Sequence, residues 1–101
     1  MSRRQVGFAM TMPEERTRAL VLAGGFLIEL ARDDTLPRLV RQRAVMIARH
    51  FPTIEDISLM ATFRHVSDVG VALATPQETT SWTENCRFGP LCSSTRLAWP
   101  D

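Results

Sequence analysis

The sequence predicts an all-α fold: a small three-helix domain built on an antiparallel helical hairpin, followed by an irregular C-terminal tail with room for a short strand or helix. Three observations predict it. Thr11-Met12-Pro13-Glu14-Glu15 reads as a helix start, apolar residues from Leu20 to Phe51 recur at spacings of three and four, and polar or proline-containing punctuation ends each periodic run.

Helix one is expected to begin near Met12. Thr11 is placed to cap an amide near Glu14 while Glu14 reaches back, and Pro13 fits the first turn, where its missing N–H does no harm. Glu14 and Glu15 suit the positive end of the helix dipole and lie within reach of Arg18. On a helical wheel Arg16, Leu20, Ala23, Leu27, Leu30 and Ala31 share the expected core face, bordered by Ala19 and Phe26. Arg18, Gly25, Glu29 and Arg32 point roughly the other way, but Val21, Leu22 and Ile28 interrupt them, which predicts cover on more than one side. Gly24-Gly25 costs about 1 kcal/mol per glycine against alanine in mid-helix. Close packing explains the pair better than a kink or hinge. A phosphate loop is not indicated, because no strand precedes the pair and no Gly-Lys-Ser/Thr follows.

Asp33-Asp34-Thr35 ends the first run, and Thr35 or Leu36 ahead of Pro37 restarts the helix. Leu36, Val40, Ala44, Ile47 and Phe51 then form the stripe expected to face helix one. His50-Phe51-Pro52 stops helix two, and Thr53-Ile54-Glu55-Asp56 supplies a cap with acids in the first turn of helix three, expected to run to about Val66. Its inner face is read as Ile57, Met60, Ala61 and Arg64, with Ile54 and Phe63 at the edges. Val69 to Ala74 is compatible with a strand or another helical turn, and residues 75–101 are rich in Thr, Ser, Pro and Gly with scattered Trp82, Phe88, Leu91, Leu97 and Trp99. The resulting division is an N-terminal extension over residues 1–10, a helical domain over 11–66, and a tail over 67–101 that packs on the domain or on a partner.

At 101 residues there is room for one modest core. With 45% apolar and 23% charged residues the chain has the balance of a folded protein. Twelve basic and eleven acidic residues leave a net charge of +1, so no global field draws nucleic acid or an anionic membrane. All the basic residues are Arg, which the codon usage of a GC-rich genome explains more simply than selection for phosphate forks. No apolar run approaches the roughly 18 residues of a membrane span and no secretory leader is evident, so a cytoplasmic location is expected. In a reducing compartment Cys86 and Cys92 are expected to stay free, and two cysteines alone do not make a four-ligand zinc site.

The string Thr-Met-Pro-Glu-Glu-Arg-Thr-Arg-Ala at residues 11–19 resembles the opening of a family of short, uncharacterised proteobacterial proteins. The resemblance continues through Phe26-Leu27-Ile28-Glu29-Leu30, Leu36-Pro37 and Arg49-His50-Phe51-Pro52, covering about residues 10–58. It implies a bacterial helical domain, a usual start at Met10 with residues 1–9 upstream of it, and no transferable catalytic residue. Phe88-Gly89-Pro90 with Ser93-Ser94-Thr95 is faintly similar to the family's closing segment, and residues 69–85 have no counterpart.

No residue is read as catalytic and no metal site or cofactor is expected. His50 and His65 fall on different helices without a local metal partner, and His50 suits a helix C-terminus. Arg87 beside Cys86 would lower a thiol pKa, but no histidine is near it in sequence. The acidic pairs Glu14-Glu15, Asp33-Asp34 and Glu55-Asp56 are read as capping and solvation, since none has calcium-loop spacing. Arg38, Arg41 and Arg49 lie opposite the apolar stripe of helix two, with Arg43 beside it, and together with Trp82 and Trp99 they are the candidate binding residues.

The expected function is therefore a non-enzymatic bacterial protein-interaction or regulatory module, acting on a protein partner or by self-association and not on a membrane. The alternatives are a small nucleic-acid-binding regulator using the Arg face of helix two, or a mobile-element inhibitor of a host nucleic-acid enzyme. Helices two and three resemble a helix–turn–helix in outline, but Glu55 and Asp56 sit where phosphate would approach.

Overall fold

Asp33-Asp34-Thr35 breaks the helical periodicity after one long run, and the fold is organised around that run. In the computed structural model, which describes residues 12–62, 73–76 and 79–101, α1 spans Pro13–Arg32, α2 Arg38–Ala48, α3 Ile54–Thr62 and α4 Thr79–Trp82. The described residues are helical with no strands. The all-α class is as expected, and a short helix forms within the tail. The extension over residues 1–10, the cap at Thr11, Phe63 to Val66 with Arg64 and His65, and residues 69–72 of the expected strand or turn lie outside the described residues.

Local chemistry sets the helix ends. At the start of α1, Met12 is the cap residue and its N–H donates to Glu15 Oε1 at 2.9 Å, so the return bond expected from Glu14 comes one residue later, with Pro13 inside the first turn. Asp33 closes α1 by accepting from the N–H of Thr35 at 3.0 Å and from its hydroxyl. That turn delays the next helix. Pro37, expected inside α2, is its cap residue instead, with φ −55° and ψ 145°. Thr53 and Asp56 open α3 reciprocally: Asp56 N–H donates to Thr53 Oγ1 at 3.2 Å and Thr53 N–H to Asp56 Oδ2 at 3.0 Å.

α1 is the spine. Ala31 packs with Ala44 and Val45, Ile28 with Ala48 and Leu91, and Val21 with Ile57, Ala61 and Leu73. Ala31 and Ile28 meet successively later residues of α2, so α2 runs antiparallel to α1, and α3 meets α1 nearer its start, at Val21.

The buried faces differ from the wheel readings. In α1 the buried residues are Thr17, Val21, Gly24, Gly25, Ile28 and Ala31, whereas Leu20, Leu27 and Leu30 pack at the margins. In α2 they are Ala44, Val45 and Ala48, while Val40 and Ile47 of the expected stripe face outward. In α3 Ile57 and Ala61 are buried as expected, but Met60 is exposed. On α2 the stripe reading favoured bulky residues, whereas the buried positions there are Ala44, Val45 and Ala48.

The tail crosses α1 at the glycine pair: a Cβ on Gly24 would lie 2.9 Å from Leu91 Cβ, and one on Gly25 would lie 2.9 Å from Cys86 Sγ and 3.1 Å from the Gly89 carbonyl oxygen. Gly89 itself has φ +76°, a left-handed turn conformation that an L side chain strains to adopt. The close-packing reading of Gly24-Gly25 holds, with the tail as the partner. Farther back along α1, the fully buried Thr17 hydroxyl donates to the Ala74 carbonyl at 2.8 Å and accepts its N–H at 2.9 Å, satisfying both backbone groups of that residue.

Two predictions follow from this packing. Gly25→Ala gains about 1 kcal/mol of helix propensity but forces the backbone at Gly89 and the Cys86 side chain outward, an overpacking cost of about 1–3 kcal/mol. Urea unfolding should show a net loss of stability, with Arg18→Ala on the exposed side near neutral; a more stable Gly25→Ala would contradict the close contact. Thr17→Val keeps the shape and strands both polar groups of Ala74, so it should cost about 1–3 kcal/mol. Thr17→Ser should retain most of that stability, and equal loss in both variants would remove the hydroxyl from the argument.

Candidate interaction surface

α2 turns its small residues inward and its large ones outward. Leu39 is 56% exposed, Met46 53%, Ile47 52% and Val40 38%, all on a helix of 11 residues. At 3.6 residues per turn these four surround Arg43 on the side away from Ala44, Val45 and Ala48. Sequence reasoning missed this surface because it assigned Val40 and Ile47 to the core. The signal that would have found it is the alanine spacing: Ala44 and Ala48 are four apart, so Leu39 and Met46 belong to the other side.

The candidate arginines do not form one patch. Arg38 and Arg43 are exposed, whereas Arg41 is half-buried and its Nε–H donates to the Leu36 carbonyl at 3.3 Å. Arg49 lies over the Trp99 ring, 4.6 Å from its centre, which brings two candidate residues together across the end of α2. Trp82 is elsewhere. It packs against the cluster of Val21, Ile57, Ala61 and Leu73, and so contributes to the core.

The tail is tied to the helices by side chains reaching its backbone. Glu29 Oε2 accepts the Arg87 N–H at 3.2 Å, Arg32 donates to the Arg96 carbonyl at 3.2 Å, and the Phe88 ring lies under the guanidinium groups of both Arg32 and Arg87 at 4.7 and 5.2 Å. At the start of α3, Ile54 N–H donates to the Leu91 carbonyl at 3.0 Å and Glu55 Oε1 accepts the Ser93 N–H at 2.9 Å. Glu15, Asp33, Glu55 and Asp56 thus serve as caps and clamps. Glu29, read as part of a polar side, holds the tail over Gly25.

Between the end of α2, the start of α3 and residues 91–97 lies a cleft of about 320 Å³, lined in part by Arg49, Thr53, Cys92, Thr95 and Arg96. Its chemistry is already spent. The α3 amides that face an anion elsewhere in proteins are given to Leu91 and Thr53, and Cys92 N–H donates to Thr95 Oγ1 at 3.0 Å. Cys86 and Cys92 are free. Burial pushes both thiols up, helped by the carboxylate of Glu29 for Cys86 and of Glu55 for Cys92. This opposes the lowering that Arg87 suggested for Cys86. His50 is exposed in the turn after α2, and among the described residues no three His, Cys, Asp or Glu side chains gather as a metal site. No helix among them is long and apolar enough to cross a membrane.

Comparison with known protein families, with curated proteins and with solved structures finds no match to this chain. The surface of α2 therefore has to be read from its own chemistry.

The clamp at Glu55 gives a pH signature. The Ser93 N–H, first among its causes, and the helix amide of Glu55 itself hold this carboxyl below its ordinary value of 4.5. A depressed folded value contributes stability that is present above 4.5 and lost as pH falls through the lower folded value. Glu55→Gln should therefore be less stable at neutral pH and show a smaller fall on acidification than the parent chain. Urea midpoints measured on both sides of that value check this, and identical pH slopes would deny Glu55 the clamp role.

Proposed function

We propose that this chain is a protein-interaction module that docks through the outward face of α2. The observation that carries the reading is the inverted distribution on α2, where alanines and one valine meet α1 while Leu39, Val40, Met46 and Ile47 face water. Leaving such side chains exposed forgoes roughly 25 cal/mol for each Å² of apolar surface that a partner would cover. Grouped apolar exposure of this kind marks docking surfaces on soluble domains. A non-enzymatic role is supported by the raised Cys86 thiol, since a nucleophilic cysteine needs the opposite shift. The two unpaired, half-buried thiols support work in a reducing compartment such as the cytoplasm.

Nucleic acid is the less supported partner. Phosphate tracking needs several convergent cations, and of the three arginines on α2 and Arg49 just after it, Arg41 is tied to Leu36 and Arg49 to Trp99. The likeness of residues 11–19 to an uncharacterised bacterial family is compatible with a small helical module and assigns it no partner.

Site-specific photo-cross-linking in the cell of origin tests the reading. A photoreactive residue at Met46 should give a defined protein adduct that disappears when Leu39 and Ile47 are both changed to Asp, whereas the same probe at the exposed Arg18 should not give it. Absence of adducts at Met46, or the same adducts at Arg18, would refute docking through α2.

A further inference from the structure

One cation sits inside the outward face of α2. Arg43 follows Leu39 by four residues and Val40 by three, and precedes Met46 by three and Ile47 by four, so each of these exposed side chains is its direct neighbour on the helix. The other arginines of this region lie off that face. Arg38, Arg41 and Arg49 share the helix stripe of the buried Val45, where Arg41 donates to the Leu36 carbonyl and Arg49 covers the Trp99 ring. Among the described residues nothing pairs with the Arg43 guanidinium, and α2 carries no carboxylate.

We propose that the occupant of this face is a helix of another protein that carries one carboxylate, with bulky apolar side chains a turn before it and a turn after it. A partner that covers Leu39, Val40, Met46 and Ile47 also takes the water from the guanidinium at their centre, and a buried charge left unpaired opposes binding. A carboxylate restores both the charge balance and the hydrogen bonds, because it accepts two parallel N–H bonds from the guanidinium fork. A cation at that place repels Arg43, and a wholly apolar stripe strands it. The backbone of the occupant follows from α2 as well. No strand edge exists among the described residues, so this face offers no ladder to an extended peptide. Laid over apolar side chains, an extended segment loses the water from its own N–H and C=O groups, whereas a helix has already paired them. Leu39 and Ile47 are eight residues apart, about 12 Å along the axis, which matches a central carboxylate with one apolar turn on each side.

This inference rests on α2 as a docking face and adds the chemistry of what docks there. The probe is a displayed library of helical peptides of about 18 residues, long enough for the helices to form, with one face randomised. Selected on the full chain, it should yield peptides with Asp or Glu between apolar residues three or four positions away on both sides. A selected peptide should lose about tenfold or more in affinity when its acid becomes Lys, and a similar factor against the Arg43→Glu chain. Combining the two changes should restore binding, since they exchange the charges. Leu39→Asp/Ile47→Asp should abolish it. Helical circular dichroism of Arg43→Glu should be unchanged, because the side chain is exposed. If that variant unfolds, Arg43→Gln decides instead, and it should remove the preference of the chain for the acidic peptide over its Gln counterpart.

A library that yields no binder, selected peptides without an acid among their apolar residues, or an affinity that the Arg43 variants leave unchanged overturns the proposal. If the Met46 probe still captures a protein in those cases, α2 stays a docking face and only the acidic helix is lost. Peptide binding that survives Leu39→Asp/Ile47→Asp refutes docking through α2 as well. Self-association of the full chain through a photoreactive residue at Arg43 also overturns the proposal and gives the face to a second copy. Retention on duplex DNA or on vesicles of anionic phospholipid, lost in Arg43→Glu, overturns it in favour of that ligand.

Discussion

Residues 86–91 lie against Gly24 and Gly25 so closely that no side chain fits between them. The rest of the structure depends on that contact. Two glycines in mid-helix cost α1 about 2 kcal/mol of propensity together, a cost without return in a helix packed on one side. Here the glycine face admits Leu91, which is buried with Ile28 and Ala48. The same leucine carbonyl accepts the first amide of α3. One residue therefore joins α1, α2 and α3 from outside the helical hairpin, and the tail is as much a part of the core as the helices are.

A segment without regular structure has to find partners for its backbone one residue at a time. This tail finds several of them on side chains of the helices. Thr17 pairs both groups of Ala74, Glu29 takes the amide of Arg87, Arg32 reaches the carbonyl of Arg96, and Glu55 takes the amide of Ser93. Three of these four partners are on α1. The polar residues along α1 therefore do not mark a solvent side, and its apolar residues do not mark the only buried one. Phe26, a large aromatic on α1, remains exposed while the Thr17 hydroxyl is buried beneath residue 74.

Legibility in the sequence follows the range of the interaction. Helix starts and stops depend on neighbours within four residues, so Pro13, Asp33, Pro37 and Thr53 located the element ends to within a residue or two. The Gly24-Gly25 pair was legible as a close approach because its propensity cost needs a reason. The faces were not legible, because the wheel weighs hydrophobicity and not size. Val45 is fully buried beside Ala44, and nothing in the spacing of Leu36, Val40, Ala44 and Ile47 distinguishes it from its neighbours. Arg49 over Trp99 brings together residues fifty positions apart, and no local pattern encodes such a pair. Trp82 carried an interface signature by residue type alone, and the core took it.

The missed faces and the exposed surface have one cause. Alanines at positions 44 and 48 and glycines at 24 and 25 leave little volume between the spine and what covers it, so the bulky residues of α2 have no place inside. Packing α2 on α1 needs only Ala44, Val45 and Ala48, and any polar residue would serve at Leu39, Met46 and Ile47 as far as that contact is concerned. Their apolar character is then unexplained by the packing of the described residues. The proposed docking through α2 would account for it, with Arg43 the one cation at the centre of that outward face. Hydrophobic burial is indifferent to orientation, whereas a single charge set among apolar side chains constrains how a partner can align on them.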